Sequence, residues 1–201
     1  FAGGATQTFM PGHVLNNGVN LVSGTFLVPD GGTLNSAGSV NFIGGTLGRV
    51  GTSGVGNLGG GGSLNINSTT VTLAQELRNV GVLNCGASVV YATNAVLTNA
   101  GTINLTSTGR FRDGILNNSG TIVKSGTGEF LLTEPYYGGT QSFNNSGTVT
   151  VTSGSLKMQN SGTHSGSFAA VGGTITWPAG TQTCNTGTRF SGANTMSGAT
   201  I

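Results

Sequence analysis

The sequence has few charged side chains. Only seven Lys or Arg and five Asp or Glu occur among 201 residues, so 6% are charged, against a usual share of about 25%. The cations are scattered, and no basic run is longer than the one that joins Arg110 and Arg112. Because binding to a phosphate backbone depends on several clustered cations, the sequence predicts no nucleic-acid partner.

Long hydrophobic runs are also missing. No stretch reaches the roughly 18 apolar residues of a membrane-spanning helix. The first residues show neither the basic region nor the apolar core of a signal peptide. We therefore expect no membrane insertion, and we interpret the chain as a mature form or an excised fragment.

Acidic and metal-binding side chains are too sparse to favour a catalytic centre. Glycoside hydrolysis, the usual chemistry of parallel β-helix enzymes, needs at least two suitably spaced carboxylates. The five acids are Asp30, Glu76, Asp113, Glu129 and Glu134. His13 and His164 lie far apart and have no Cys or acid at ligand spacing. We expect no enzymatic activity, no bound metal and no cofactor.

Glycine, in contrast, is abundant. It accounts for 38 of the 201 residues, well above the roughly 7% of average proteins. Hydrophobic residues still make up 35% of the chain, which is enough for a buried core. The composition therefore indicates a folded protein with many chain reversals.

One phrase recurs along the chain. Its clearest copies are LNSAGSVNF at 34–42, LTNAGTINL at 97–105, LNNSGTI at 116–122 and FNNSGTVTV at 143–151. The glycines of these and of more degraded copies are Gly18, Gly38, Gly62, Gly81, Gly101, Gly120, Gly147 and Gly162. The usual step is roughly 20 residues, with longer excursions before Gly62 and Gly147.

A second, shorter element follows the phrase, as in TGRF at 108–111 and SGSL at 153–156. Each unit is therefore predicted to hold two strands, in which apolar side chains alternate with polar ones. A unit of this length buries a core only by stacking on its neighbours. The sequence predicts one all-β domain over residues 1–201, a right-handed parallel β-helix or solenoid of about 20 residues per coil and roughly eight to nine coils.

Stacking in this register predicts the contents of the interior. One inward column holds Val40, Leu64, Leu83, Ile103, Ile122 and Val149, and the next holds Phe42, Ile66, Cys85, Leu105 and Val151. The corner asparagines Asn17, Asn99, Asn118, Asn145 and Asn160 are predicted to align as a hydrogen-bonded ladder. The corner glycines are expected to supply positive φ. Cys184 lies several coils from Cys85, too far for a disulfide bond.

One residue and two residue pairs test the register directly. Lys124 falls where other coils place an inward aliphatic residue, so either the strand bulges or the lysine reaches the rim. Arg110 and Glu129 both follow their glycines by nine residues, which predicts an ion pair between adjacent coils. Phe111 and Phe130 are predicted to stack at the next position.

One cluster is a candidate site. The long excursion before Gly147 brings charged and aromatic residues together at a rim, where loops on rigid scaffolds commonly bind ligands. Surface glycans are the candidate ligand, because tyrosines can stack on sugar rings. The candidate contact residues are Arg110, Arg112, Asp113, Glu129, Glu134, Tyr136 and Tyr137. An ordinary surface loop is the alternative interpretation.

Ice binding is a further alternative, because flat solenoid faces with Thr-x-Thr in every coil match the ice lattice. Thr148 and Thr150 fit this pattern, but the equivalent outward positions elsewhere are Asn41, Asn104 and Val123. A thermal-hysteresis assay separates this hypothesis from the others.

The segment NNSGTVTVTSGSL at 144–156, followed by GSF at 166–168 and GGTI at 172–175, resembles the repeats of filamentous-haemagglutinin and autotransporter-type surface proteins and of giant secreted adhesins. The resemblance covers most of residues 14–177 and implies an extracellular or cell-surface location. It favours a structural role as a fibre, stalk or adhesin shaft; a glycan-binding or polysaccharide-degrading β-helix module is the alternative. The expected partner is the chain itself, end-to-end or within a longer rod.

Overall fold

The protein is an all-β solenoid. The computed structural model describes residues 4–10, 13–50, 55–66, 70–86, 89–136 and 138–200. Within these ranges the chain forms 24 strands, β1 to β24, and no helix. A helix long and apolar enough to cross a membrane is accordingly not found in this part of the chain.

Three columns of stacked strands, sheets A, B and C, make up the walls. Sheet A begins with β1 (Thr6–Thr8) and continues through β4 (Thr25–Val28), β7 (Gly45–Arg49), β10 (Thr70–Leu73), β17 (Glu129–Glu134) and β20 (Ser155–Met158). Sheet B holds β2 (Val14–Leu15), β5 (Thr33–Ser36), β8 (Gly56–Gly59), β11 (Glu76–Asn79), β18 (Ser142–Asn145), β21 (Gly162–His164) and β23 (Gln182–Cys184).

Sheet C holds β3 (Val19–Leu21), β6 (Ser39–Phe42), β9 (Ser63–Ile66), β12 (Val82–Cys85), β14 (Thr102–Leu105), β16 (Thr121–Lys124) and β19 (Thr148–Val151). Four long strands turn a corner and serve two sheets. Strands β13 (Val89–Asn99) and β15 (Gly109–Asn118) join sheets A and B, whereas β22 (Ser167–Trp177) and β24 (Arg189–Met196) join sheets C and A. Each coil therefore has three strands, and the prediction of two was wrong.

The coils stack in parallel and in the predicted register. About eight turns of about 21 residues follow one another, which confirms the predicted fold class and coil length. Ile103 pairs with Leu83 on one side and with Ile122 on the other, and Ile122 pairs with Val149. The right-handed sense of the coil stays a prediction.

The interior is the predicted aliphatic column. Val40, Leu64, Leu83, Ile103, Ile122 and Val149 are each at most 1% exposed, as are Phe42, Ile66, Leu105 and Val151. Cys85 lies in the same column, and burial raises the pKa of its thiol to about 12. Both Cys85 and Cys184 are free, so the predicted absence of a bond between them is confirmed.

Most of the corner glycines have a different role from the one predicted; of the eight, only Gly18 has positive φ, at 80°. Gly101, Gly120 and Gly147 are not among the described residues with positive φ. Instead, a Cβ at Gly120 would collide with the carbonyl oxygen of Gly101, and one at Gly147 with that of Gly120. These glycines are required because consecutive coils approach each other too closely for any side chain. The stack continues at Gly166, which lies on Gly147, so the assignment of Gly162 to this column was wrong.

An asparagine ladder runs inside the corner between sheets B and C. We call it the inner ladder, and its members are Asn79, Asn99, Asn118 and Asn145. Each Nδ2 donates to the next Oδ1 at 2.7 Å, and all four residues are at most 2% exposed. The ladder prediction is thus confirmed at three positions, with Asn79 as an added member.

The other two predicted members of the ladder lie elsewhere. Asn17 is exposed, and its Oδ1 accepts a hydrogen bond from the backbone N–H of Ser39. The position below Asn145 is taken by His164 rather than Asn160. Burial lowers the pKa of His164, although the hydrogen bond between its Nε2 and Oε1 of Gln182 works in the opposite direction.

Lys124 is the exception in the core. The strand does not bulge there, because Lys124 stays in register with Leu105 and Val151. The side chain is 0% exposed, and its Nζ donates to the carbonyl oxygens of Ser125 at 2.7 Å and Gly126 at 2.9 Å. The ammonium thus bonds the turn that follows its strand, and desolvation lowers its pKa.

Candidate functional site at the corner between sheets A and B

The predicted cluster forms where β15 and β17 lie side by side. Arg110 pairs with Leu131 and Arg112 with Glu134, so β17 accommodates one extra residue between these two pairs. The resulting bulge places the carboxylate of Glu134 within reach of both arginines. Bulges commonly redirect a side chain in this way at sheet corners and binding sites.

Glu134 is held by both arginines. Nη1 of Arg110 lies 3.0 Å from each carboxylate oxygen, and Nε of Arg112 donates to Oε2 at 2.7 Å. The three side chains are 32%, 13% and 19% exposed in the order Arg110, Arg112, Glu134. They form a half-buried network whose net charge is positive.

The network controls the ionisation of Glu134. Burial by itself raises the pKa of the carboxyl, but the hydrogen bonds and positive charges of Arg112 and Arg110 together outweigh burial. The pKa of Glu134 therefore lies below its ordinary value. The carboxylate is charged at neutral pH and is already saturated by its arginine partners.

Asp113 closes the loop that follows β17. Its side chain is 1% exposed, and its Oδ1 accepts hydrogen bonds from the backbone N–H of Tyr136 and from Nε2 of Gln141, both at 2.8 Å. One buried carboxylate oxygen thus holds the loop near its start and near its end. Gln141 was missed by sequence reasoning, because nothing in its local sequence distinguishes it from a solvent-facing residue.

The backbone is strained at this corner. Asp113 has φ 48° and Thr133 has φ 54°, in a region where a non-glycine residue costs about 1–3 kcal/mol and where a β-branched residue is unusual. The hydroxyl of Thr133 donates to the carbonyl oxygen of Leu132 at 2.8 Å. The contacts of Asp113 and Glu134 are the interactions that offset this strain.

Tyr136 carries the aromatic surface of the cluster. The guanidinium of Arg112 lies 4.0 Å from the centroid of its ring, which is cation–π geometry. The tyrosine is 54% exposed. Five of the seven predicted residues therefore come together, namely Arg110, Arg112, Asp113, Glu134 and Tyr136. Tyr137 lies outside the described residues.

Glu129 does not join the cluster. It is exposed at the start of β17, beside Ser155. The predicted ion pair between Arg110 and Glu129 is wrong because the connection from Lys124 to Phe130 is two residues longer than the one from Leu105 to Gly109, which aligns Arg110 with Leu131. Phe111 and Phe130 are in contact, with ring centroids 5.4 Å apart and planes at 59°, but Phe130 pairs with Gly109, so the predicted stacking at the same position is wrong.

Among the described residues of the corner, the interior has no room for a ligand. The void beneath it measures about 10 Å³ and is lined by apolar side chains such as Leu73, Leu97 and Phe111, which is about the space of one water molecule. Any ligand of this cluster would therefore contact its outer surface, at Tyr136 and Arg110. As built, the cluster fastens a loop to the coil.

Metal-binding side chains do not gather elsewhere in the described ranges. No group of three or more His, Cys, Asp or Glu residues there lies close enough together to hold a metal ion. The outward face of sheet C, on which an ice-binding surface would depend, carries asparagines in five coils and then Val123 and Thr150. Ice binding stays a prediction that thermal hysteresis would test.

No protein-family model, curated protein or solved structure matches this chain. The structure itself shows a β-solenoid repeat protein.

Proposed function

We propose that this chain is a structural β-solenoid of the cell surface or extracellular space, which serves as a fibre, stalk or adhesin shaft. The inner ladder carries the proposal. In addition to the backbone bonds of three sheets, consecutive coils share side-chain amide bonds of 2.7 Å that water cannot reach. Such a stack resists opening between coils, which is the property a load-bearing rod needs.

The composition of the surface supports the same role. Most outward positions are Thr, Ser, Asn or Gly, and only 6% of all residues are charged. A second ladder of asparagines follows the outside of sheet C through five coils. Side chains on this wall bind to the neighbouring coil, which favours a scaffold over a surface shaped for one soluble ligand.

The resemblance of residues 144–156 and 166–175 to haemagglutinin and autotransporter repeats supports the extracellular location. An exposed aromatic ring at the edge of the last described coil supports association with another coil of this type of solenoid. Phe190 stacks on Phe168 with ring centroids 5.3 Å apart, yet it remains 39% exposed. A further coil, from the same rod or from a second copy, would cover it and pair with β24.

Immunogold electron microscopy of intact producing cells tests the proposal. Antibodies against the folded chain should label the cell surface or filaments that extend from it, without permeabilisation. Label that appears only after permeabilisation would contradict the extracellular assignment. Extracellular label on dispersed particles with no rod or filament would contradict the structural role.

A further inference from the structure

A polar trough lies on the outer surface of sheet B, beside the corner that leads to sheet C. It encloses about 290 Å³. One wall is formed by Thr98, Asn117, Asn144 and Thr163, which come from four consecutive coils. The other wall includes the corner serines Ser119 and Ser146. The trough therefore runs along the rod and not around it.

The inner ladder explains why the trough is there. Asn118 and Asn145 turn their side chains into the core, so no side chain fills the surface between the outward residues on either side of them. Gly120 and Gly147, which come after the corner serines, carry no side chain that could fill this space. The Asn-Ser-Gly corner therefore supplies both the inner ladder inside the coil and the trough on its outer surface.

The amides of the trough are held in fixed orientations. Nδ2 of Asn144 donates to Oδ1 of Asn117 at 2.8 Å, and Oδ1 of Asn144 accepts the backbone N–H of Thr163 at 3.0 Å. Binding a ligand would not require these side chains to be ordered first, which reduces the entropic cost of association.

Hydrogen-bonding groups remain available in the trough. The hydroxyls of Thr98, Thr163 and Ser165 form no side-chain hydrogen bond with the described part of the protein, and Nδ2 of Asn117 donates to no described residue. These groups recur with the spacing of stacked strands, about 4.8 Å. They can meet a chain of hydroxyl groups that runs parallel to the rod.

The chemistry of the trough selects a neutral ligand. None of the described residues that line it is charged or aromatic, so an anionic polymer would find no counter-charge among them, and an apolar peptide side chain would find no pocket. Hydroxyl and amide groups on a concave surface match the hydroxyls of a sugar chain. We propose that this trough binds a neutral oligosaccharide lengthwise along the shaft, at a site separate from the cluster around Glu134.

Titration of the isotope-labelled full chain with neutral linear oligosaccharides, followed by NMR, tests the proposal. The probes are cellopentaose, maltopentaose and laminaripentaose, and the anionic comparison is an oligogalacturonate. At least one neutral probe should shift the amide signals of the trough residues. The double variant Asn117→Ala/Thr163→Val should weaken its binding about tenfold or more, the effect of roughly one lost hydrogen bond of the stronger kind.

The matched control is Asn84→Ala/Thr102→Val, which removes an outward amide and an outward hydroxyl on sheet C. This control should bind the neutral probe like the original chain, and circular dichroism should show that both variants keep the fold. Three outcomes overturn the proposal: no neutral probe binds, both double variants bind equally well, or the shifts centre on Arg110 and Tyr136. Each measurement uses the purified chain, so its result is independent of where the protein is located.

Discussion

Two asparagine ladders connect the same coils, one inside the wall and one outside. The inner ladder runs through Asn79, Asn99, Asn118 and Asn145, with each step at 2.7 Å. The outer ladder runs through Asn20, Asn41, Asn65, Asn84 and Asn104, with steps of 2.9, 3.0, 2.7 and 2.8 Å. The bonds have similar geometry, but only the inner ones are shielded from water.

The comparison shows that environment, more than bond length, sets the energetic value of a ladder. An outer amide that loses its neighbour can bond water instead. A buried amide that loses its neighbour keeps the full cost of desolvation, about 1–3 kcal/mol for each unsatisfied group. We therefore expect substitutions in the inner ladder to destabilise the rod far more than equivalent substitutions in the outer ladder.

The largest effect on stability is expected at Gly120, the corner glycine beside the inner ladder. Gly120→Ala should lower the free energy of unfolding by at least about 3 kcal/mol, because the added methyl group meets the backbone carbonyl of Gly101, which cannot rotate away. Urea unfolding monitored by circular dichroism measures the change. Gly61→Ala is the matched control, since nothing lies within 4 Å of a Cβ at that position. Equal losses in the two variants would refute the close-approach explanation.

The next largest effect compares the ladders directly. Asn118→Ala removes the bonds to Asn99 and Asn145 and leaves buried amide groups with fewer partners, at a cost of about 2 kcal/mol or more. Asn84→Ala removes the equivalent bonds to Asn65 and Asn104 on the outside and should cost no more than about 0.5 kcal/mol. Thermal and urea unfolding of both variants provides the measurement. A comparable cost for the two would show that shielding from water is not the deciding factor.

A smaller effect, an increase in stability, is expected when the buried Lys124 is replaced. Desolvation lowers the pKa of Lys124, so the folded state binds this proton less tightly than the unfolded state does. Lys124→Met should therefore raise the free energy of unfolding by about 1 kcal/mol at neutral pH. The stability of the original chain rises as the pH climbs toward the usual lysine pKa of about 10.4, so the advantage of the variant should shrink there.

Lys157→Met controls for the change of side chain, because Lys157 is an outward, partly exposed residue of β20. The stability of Lys157→Met should stay within about 0.5 kcal/mol of that of the original chain at neutral pH. A loss of stability in Lys124→Met would mean that the bonds of its Nζ to Ser125 and Gly126 outweigh the burial of the charge. The buried ammonium of Lys124 would then stabilise the folded chain.

The sequence was sufficient to predict the stack but not the shape of its corners. The alternation around Ile103 and Val149 predicts which side chains face the core. The recurring phrase predicts the register at Gly101, Gly120 and Gly147, but its copy at Asn160 and Gly162 gave the wrong register. The third strand of each coil, that of sheet B, was missed because it is the first part of the recurring phrase, as in β5 and β18. The phrase was counted as one element together with the sheet C strand that follows its glycine. In β13 and β15 two strands also merge without a turn residue between them.

Most residues of the candidate site could be predicted from the sequence, but the contacts between them could not. Counting residues from Gly101 and Gly120 aligned Arg110 with Glu129. This count is valid only if the turns before β15 and β17 have the same length, and the turn before β17 is two residues longer. The extra residue in β17 arises from positive φ at Thr133, a conformation that a β-branched residue adopts only when its surroundings enforce it. Local sequence therefore could not indicate that Glu134 would replace Glu129.

The smallest effect on stability is expected for the half-buried ion pairs that Glu134 forms with Arg110 and Arg112. Glu134→Gln should lower the free energy of unfolding by less than about 1 kcal/mol at neutral pH, because solvent screens the arginines that it contacts. Since the pKa of Glu134 is depressed in the folded chain, its contribution is complete above the ordinary carboxyl pKa of about 4.3 and is lost as the pH falls through the lowered value. Unfolding temperatures of the two proteins should converge in acid. Glu129→Gln, which removes an exposed carboxylate from the same strand, is the matched control. It should cost less stability at neutral pH than Glu134→Gln does, and an equal cost for both variants would contradict the assigned pairing.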